Sequence, residues 1–388
     1  MTKSRKWTPI CVLLAVIALW LIMPAEADAA VEHIYQSSPA LQPFTFSGFS
    51  VVNNANVTIS YSYSGTSRQD YDSVTDDPKM KFRSLVYTPE IPNPQCITVD
   101  PAGKTAWIMS SYKGGSDNAR TGRIYRVDIG KYWGKEAKGD RNGSVKAGPT
   151  IVTGHGQTLS YNPVTKELWY VREVNARRTT FVQVDPKSLN VVKEIHCNFS
   201  TSTSTPPAFL FDIHGNAWMY IRSAGGKSVP RNALRFYKGK IEDDHVSFTM
   251  LMQGLRYPPG MGCQGFGYDP YHDLLYVCSD GQMIGVPAGK LCLGSATAED
   301  VRTVRFTRSP AREFEGIAFS EEGCAFFVTN KSSEIMRDEV SYKEAVKERK
   351  RVNRVKAKYK KDKEALKEKE EAGLEELVLE QIGDTLSE

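Results

Sequence analysis

Residues 264–278 read Gln264-Gly-Phe-Gly-Tyr-Asp269-Pro-Tyr-His-Asp-Leu274-Leu-Tyr-Val-Cys278. A short apolar run ends on Asp269, Pro270 opens a turn, and a second apolar run rich in β-branched and aromatic side chains follows. An Asp at the start of a turn accepts hydrogen bonds from the turn's own backbone, and Pro pre-sets the next dihedral. The stretch therefore predicts two antiparallel strands joined by a tight turn. The same order recurs in Gln95-Cys-Ile-Thr-Val-Asp100 before Pro-Ala-Gly-Lys and Thr105-Ala-Trp-Ile-Met, and in Gln157-Thr-Leu-Ser-Tyr-Asn162 before Pro-Val-Thr-Lys and Glu167-Leu-Trp-Tyr-Val. It recurs again in Pro207-Ala-Phe-Leu-Phe-Asp212 before Ile-His-Gly and Asn216-Ala-Trp-Met-Tyr, and in Glu315-Gly-Ile-Ala-Phe-Ser320 before Glu-Glu-Gly and Cys324-Ala-Phe-Phe-Val-Thr.

The turn residues Asp100, Asn162, Asp212, Asp269 and Ser320 are separated by 62, 50, 57 and 51 residues. Each interval holds further strand-like runs, among them Gly122–Asp128 and Thr180–Asp185. About four strands per repeat, at a period of roughly 40–60 residues, describes a blade of a β-propeller. The expected fold is all-β, a β-propeller with a C-terminal charged α-helical tail; a β-sandwich is the competing architecture. A weaker copy, Gly48-Phe-Ser-Val-Val-Asn53 followed by Val57-Thr-Ile-Ser-Tyr, lies 47 residues before Asp100. Counting it, the expected number of blades is six, with five the alternative.

One register within the repeat carries a candidate site. Five residues before each turn residue stand Gln95, Gln157, Pro207, Gln264 and Glu315. The first strand of a propeller blade lines the central channel, so Gln95, Gln157, Gln264 and Glu315 should converge on one mouth. Amides offer donors and acceptors together, which suits a hydroxyl-rich ligand or an ordered water column. The plainer alternative is that they only solvate a funnel.

The ends of the chain differ from its middle. Lys3, Arg5 and Lys6 precede an apolar run from Ile10 to Met23, and Ala27-Asp28-Ala29 supplies small residues for cleavage. Residues 1–29 thus read as a secretory signal peptide and not a membrane span. No stable span is expected in the mature chain, and the expected location is extracellular. Residues 30–90 form an N-terminal segment holding the expected first blade, 91–335 the remaining blades, and 336–388 the tail. Within the tail, residues 342–371 carry 13 bases and 7 acids without Pro or Gly, while 372–388 carry five acids and no base. Gly373 is expected to divide two helices that fold against each other or pair between chains. Val352, Val355, Tyr359 and Leu366 hint at a heptad that Asp362 interrupts. With the repeats complete near residue 335, a chain ending at Arg337 is expected to fold.

Composition narrows the function. The chain has 388 residues, 40% hydrophobic and 24% charged, with a net charge of +5. Those values are globular, and the charge is too mild for a nucleic-acid binder by default. Six cysteines remain after Cys11 is removed with the leader, enough for three disulfides in an oxidising compartment. Cys263 and Cys278 flank one hairpin and form the candidate pair, which needs Cα atoms within about 7 Å. Burial as small core side chains is the other use for these cysteines. No nucleophile elbow, phosphate loop, His-Glu-x-x-His or EF-hand occurs, and no motif calls for a metal or cofactor. Asp76-Asp77, Asp243-Asp244, His214 and His272 read as solvated loop and turn residues.

The Gln264 blade with its Leu-Tyr-Val strand, and the Glu315 blade with its Glu-Glu-Gly-Cys324 turn, resemble the repeats of the helveticin J family of large secreted bacteriocins. The Gln95 blade resembles that family's early repeat. The resemblance spans residues 43–335; the tail and the cysteines are additions to it. It implies an antibacterial protein with no catalytic residues to transfer. The leading expectation is a secreted propeller that binds a cell-surface glycan, wall polymer or other extracellular ligand and self-associates through its tail. A metal-dependent lactonase or lyase would need clustered Asp, Glu or Asn at the channel mouth, where Glu315 is the one acid. A structural scaffold is the third reading.

Overall fold

Each of the five hairpins grows into one small antiparallel sheet. The computed structural model describes residues 31–33, 35–37, 79–112, 119–137, 143–173, 178–198, 208–222, 233–242, 246–256, 264–279, 282–305, 313–330 and 333–386. The innermost strands of blades I to V are Pro94–Val99, Ser160–Asn162, Ala208–Phe211, Gly265–Asp269 and Glu313–Phe319. Each pairs with the strand after its turn: Thr105–Ser111, Glu167–Glu173, Ala217–Arg222, Leu274–Cys278 and Ala325–Asn330. Third and fourth strands follow outward in every sheet.

The turn residues act as their chemistry predicts. Asp100 Oδ1 accepts from the amides of Lys104 (2.6 Å) and Thr105 (3.0 Å), and Asn162 Oδ1 accepts from Val164 (3.0 Å). Asp212 Oδ1 accepts from His214 and Asn216 (both 2.9 Å), and its Oδ2 from the Trp218 indole (3.0 Å). Asp269 Oδ1 accepts from Tyr271 (3.0 Å), and Ser320 Oγ from Cys324 (3.2 Å).

Alternate residues along a strand face opposite sides of its sheet, and here both sides are buried. Ala106 and Ile108 pack toward blade V, while Trp107 and Met109 pack toward blade II. Five hydrophobic clusters result, one at each blade-to-blade interface, including the one between blades V and I. The innermost strands likewise follow one another around the ring and meet again between blades V and I. Closure therefore occurs at five blades, the smaller of the two counts. The sixth copy at residues 48–61 lies outside the described residues, as do the expected signal peptide and the two acidic pairs.

The closing seam is stapled from both chain ends. Blade V takes its first three strands from residues 313–338 and its fourth from Phe82–Tyr87, which pairs antiparallel with Glu334–Asp338. Further upstream, Val31–His33 and Tyr35–Ser37 add parallel strands to the outer edges of blades II and III. The third strand of blade V runs to Asp338, so the blades end three residues beyond the expected boundary.

A single helix, Glu339–Leu386, follows directly. Asp338 caps it, accepting from the Ser341 amide (2.8 Å). Its first turns are built into the seam: Tyr342 is 9% exposed and Ala345 fully buried in the blade V–I cluster. The Arg337 guanidinium, itself buried, lies 3.4 Å from the Tyr342 ring centroid and donates to Glu339 and to the Lys135 carbonyl. Arg349 donates to both oxygens of Glu322 in blade V (2.6 and 2.8 Å) and to the Ala102 carbonyl in blade I (2.9 Å). Its guanidinium also stacks 4.0 Å from the Trp133 ring. The expectation that the propeller is independent of residues after Arg337 is thus corrected: Tyr342 and Ala345 complete a core cluster. Gly373 does not divide the helix either, because a lone glycine costs only about 1 kcal/mol in a helix interior.

Cys96, Cys292 and Cys324 are thiols, so three disulfides are not formed. Cys96 and Cys324 are buried core side chains. Cys263 lies outside the described residues, and with it the expected Cys263–Cys278 bond.

Candidate functional site

The innermost strands all run from the glutamine register toward the turn residues, so one channel mouth gathers the former and the opposite mouth the latter. At the first mouth the amide of Gln157 bridges the ring. Its Nε2 donates to Oε1 of Gln95 (3.0 Å) and to Oε1 of Gln264 (3.1 Å), linking blade II to blades I and IV. Gln95 Nε2 donates to the carbonyl of Pro94 (3.1 Å) and, at 3.5 Å, to that of Asn93. Asn330 Nδ2 donates to Asn93 Oδ1 (2.8 Å) and to Glu315 Oε1 (3.2 Å). Gln95, Gln157, Gln264 and Glu315 therefore belong to one polar network spanning four blades. Pro207, at the same register in blade III, lies outside the described residues.

Asn93 and Asn330 are members that the repeat did not reveal. Asn93 sits two residues before Gln95 at φ +47°, a left-handed conformation that Asn tolerates better than most side chains. Asn330 ends the second strand of blade V, off the glutamine register, and no sequence pattern marks it. Asn93 Nδ2 also donates to the Ser111 carbonyl (2.6 Å), tying the network to the sheet of blade I.

Burial divides the network into a floor and a rim. Gln95, Gln264 and Glu315 are 4%, 6% and 2% exposed, whereas Gln157 is only partly buried. Gln157 is thus the least buried of the four, and its hydrogen bonds to Gln95 and Gln264 fix its orientation. Beneath them the innermost strands of blades IV, V and I approach one another closely. Gly265 adopts φ +128°, and a Cβ there would fall 2.9 Å from the Gly316 Cα; a Cβ on Gly316 would fall 3.1 Å from the Cys96 Cα. Only glycine fits at such a contact. Further along, between Thr98, Ser160, Leu210, Phe266 and Ile317, the channel leaves a cavity of about 60 Å³. Small-molecule pockets hold roughly 300–1,000 Å³, so this cavity is too small for a molecule of sugar size.

Two further contacts tie the innermost strands together below the mouth. Thr98 Oγ1 accepts from the Tyr161 amide (3.2 Å) and Ser160 Oγ from the Phe211 amide (2.8 Å), locking the innermost strands of blades I to III to one another.

The side chains gathered here offer hydrogen-bond donors and acceptors. Amides do not titrate near neutral pH. Cys96, adjacent to Gln95, is no nucleophile: burial pushes its thiol far above the ordinary range, and the charge of Glu315 adds to the effect. The carboxylate of Glu315 is engaged by Asn330. Among the described residues no group of three His, Cys, Asp or Glu side chains is arranged to hold a metal ion, and no helix is long and apolar enough to cross a membrane.

No protein-family model and no curated protein matches the chain. Solved structures resemble it loosely. A protein of unknown function from Bacteroides thetaiotaomicron is 13% identical, with a TM-score of 0.36 over 62% of this chain. The match covers 58% of that structure's own length. Myxococcus xanthus glutaminyl cyclase is 9% identical (TM-score 0.36, 67% of this chain and 94% of that one). A putative 6-phosphogluconolactonase from Bacteroides uniformis is 11% identical (TM-score 0.34, 64% and 71%). Likeness at this level carries no argument about function, and the propeller assignment rests on the sheet order and the five interface cores.

Proposed function

We propose that the chain is a secreted propeller that binds a hydroxyl-rich ligand, a cell-surface glycan or wall polymer, at its glutamine mouth. The observation that carries this reading is the hydrogen-bonded amide network of Gln95, Gln157 and Gln264, with Gln157 only partly buried at its rim. Uncharged amides held in place by one another match the mixed donors and acceptors of a sugar without a change of protonation. Export is supported by the basic, apolar and small-residue order of residues 1–29. The resemblance of the Gln264, Glu315 and Gln95 blades to the helveticin J repeats supports a bacteriocin-like antibacterial role. A lactonase or lyase of the metal-dependent kind is less well supported, because the one carboxylate of the register, Glu315, lies in the buried floor bonded to Asn330. The test is a screen of the mature protein against wall glycans, with killing of related bacteria scored in parallel. Binding to at least one hydroxylated polymer that weakens in Gln157→Ala supports the reading. A folded protein that binds none of them overturns it.

A further inference from the structure

We infer that the C-terminal helix pairs antiparallel with the same helix of a second copy of the chain. The first observation is charge. Residues 350–363 hold eight bases and one acid, Asp362, and no acid lies between Arg349 and Lys361; residues 364–388 hold nine acids and two bases. The second is continuity. Glu339–Leu386 is one helix, so its basic and acidic halves lie end to end and cannot fold against each other within one chain. At 1.5 Å per residue, about 54 Å separate Lys350 from Leu386. The third is exposure. From Arg354 to Gly373 every residue of the helix is exposed, and Val355, Tyr359 and Leu366 are 57%, 70% and 59% exposed. Spaced four and seven residues apart, they form one apolar stripe.

A second copy satisfies all three at once. Laid parallel, two such helices would set eight bases beside eight bases. Laid antiparallel, each basic half lies along an acidic half. Packed helices are about 8–10 Å apart, within a screening length at moderate salt, so the sign of the overlap decides orientation. Pairs within the helix touch only the margins of the basic run: Glu348 with Arg351 and Lys360 with Glu364. The first turns are not available for pairing, because Tyr342, Ala345 and Arg349 are committed to the seam. The helix leaves from the turn-residue face, opposite the glutamine mouth, so the pair holds two propellers apart with both mouths open. If those mouths bind the proposed ligand, the assembly is bivalent and gains avidity on a surface that displays many copies; the pairing itself does not depend on that reading.

The test is the mass of the full mature chain in solution by sedimentation equilibrium. At about 0.1 M salt the screening length is about 10 Å, and at 1 M about 3 Å. A twofold mass is expected at the lower salt, falling toward the single-chain mass at the higher. Lys356→Glu/Lys360→Glu/Lys363→Glu should be a monomer at 0.1 M. So should Glu368→Lys/Glu371→Lys/Glu375→Lys. Mixed in equal amounts, the two variants should recover the twofold mass, a rescue that general damage to the helix would not give. A single-chain mass for the unaltered protein at 0.1 M overturns the inference, whether or not the helix then binds anionic vesicles or wall polymer. A dimer that survives either triple charge reversal overturns it as well.

Discussion

Cutting the chain after Arg337 should cost most of the propeller's stability, whereas cutting it after Asn353 should cost little. The shorter chain loses the Tyr342 ring from the blade V–I core, and truncating a buried aromatic costs about 3–5 kcal/mol. It also loses Glu339, the carboxylate partner of buried Arg337, and breaking a buried ion pair costs about 3–5 kcal/mol. The Arg349 contacts to Glu322 and Ala102, which bridge blades V and I, go with them. These groups touch one another and their losses do not add, so a combined loss of about 5–10 kcal/mol is the working figure. It stands against a typical total of about 5–15 kcal/mol. At about 2–4 °C per kcal/mol for a domain of this size, thermal unfolding should begin at least about 10 °C lower. The chain ending at Asn353 keeps every one of these contacts and should melt within about 2 °C of full length. Tyr342→Ala in the intact chain separates the ring from the rest, should the shorter chain fail to fold. Equal melting temperatures for the two truncations, or an unshifted Tyr342→Ala, would refute the reasoning.

Asp212→Ala should destabilise the fold by about 3 kcal/mol, because it strands the His214 and Asn216 amides and the Trp218 indole; an unchanged urea midpoint would contradict this. His272 is held protonated to higher pH chiefly by its hydrogen bond to Asp269 (2.7 Å), with Glu344 assisting and burial and Arg302 opposing. A raised native pKa means the contribution is complete below the unfolded value of about 6.5 and lost as pH rises through the native one. Melting curves should therefore show the protein losing an advantage over His272→Ala on that rise, and parallel curves would exclude it. Alkylation of the native protein should label exposed Cys292 and spare buried Cys96 and Cys324, whose thiols burial pushes well up; early labelling of Cys96 on peptide mapping would show that the mouth opens.

The hairpins and the mouth were legible because their information is local. Each turn residue bonds to amides within five positions of itself, and the glutamine register is a fixed offset from that turn. The closing strand Phe82–Tyr87 carries no such signal, since its partner lies about 250 residues away and it has no turn of its own. The expected sixth blade has the same origin: the sequence shows a weak upstream repeat, whereas the chain closes its last sheet with a single N-terminal strand. Tyr342 and Ala345 sit in a segment whose composition reads as solvated throughout, and only the seam beneath them shows that they are core. Asn93 and Asn330 join the mouth by side-chain reach across a blade boundary, which no single-strand pattern encodes.

The most direct measurement of the central claim is titration calorimetry of the mature protein and of Gln157→Ala with the glycan a binding screen selects, both shown to be folded. Gln157 is the least buried of the four register residues, so its loss should remove one or two ligand hydrogen bonds at about 0.5–1.5 kcal/mol each. That is a rise in Kd of about 2–13-fold per bond. The account predicts that rise with the melting temperature preserved, and a larger one in Gln157→Ala/Gln264→Ala. An unchanged Kd in both variants would place the ligand elsewhere and contradict it.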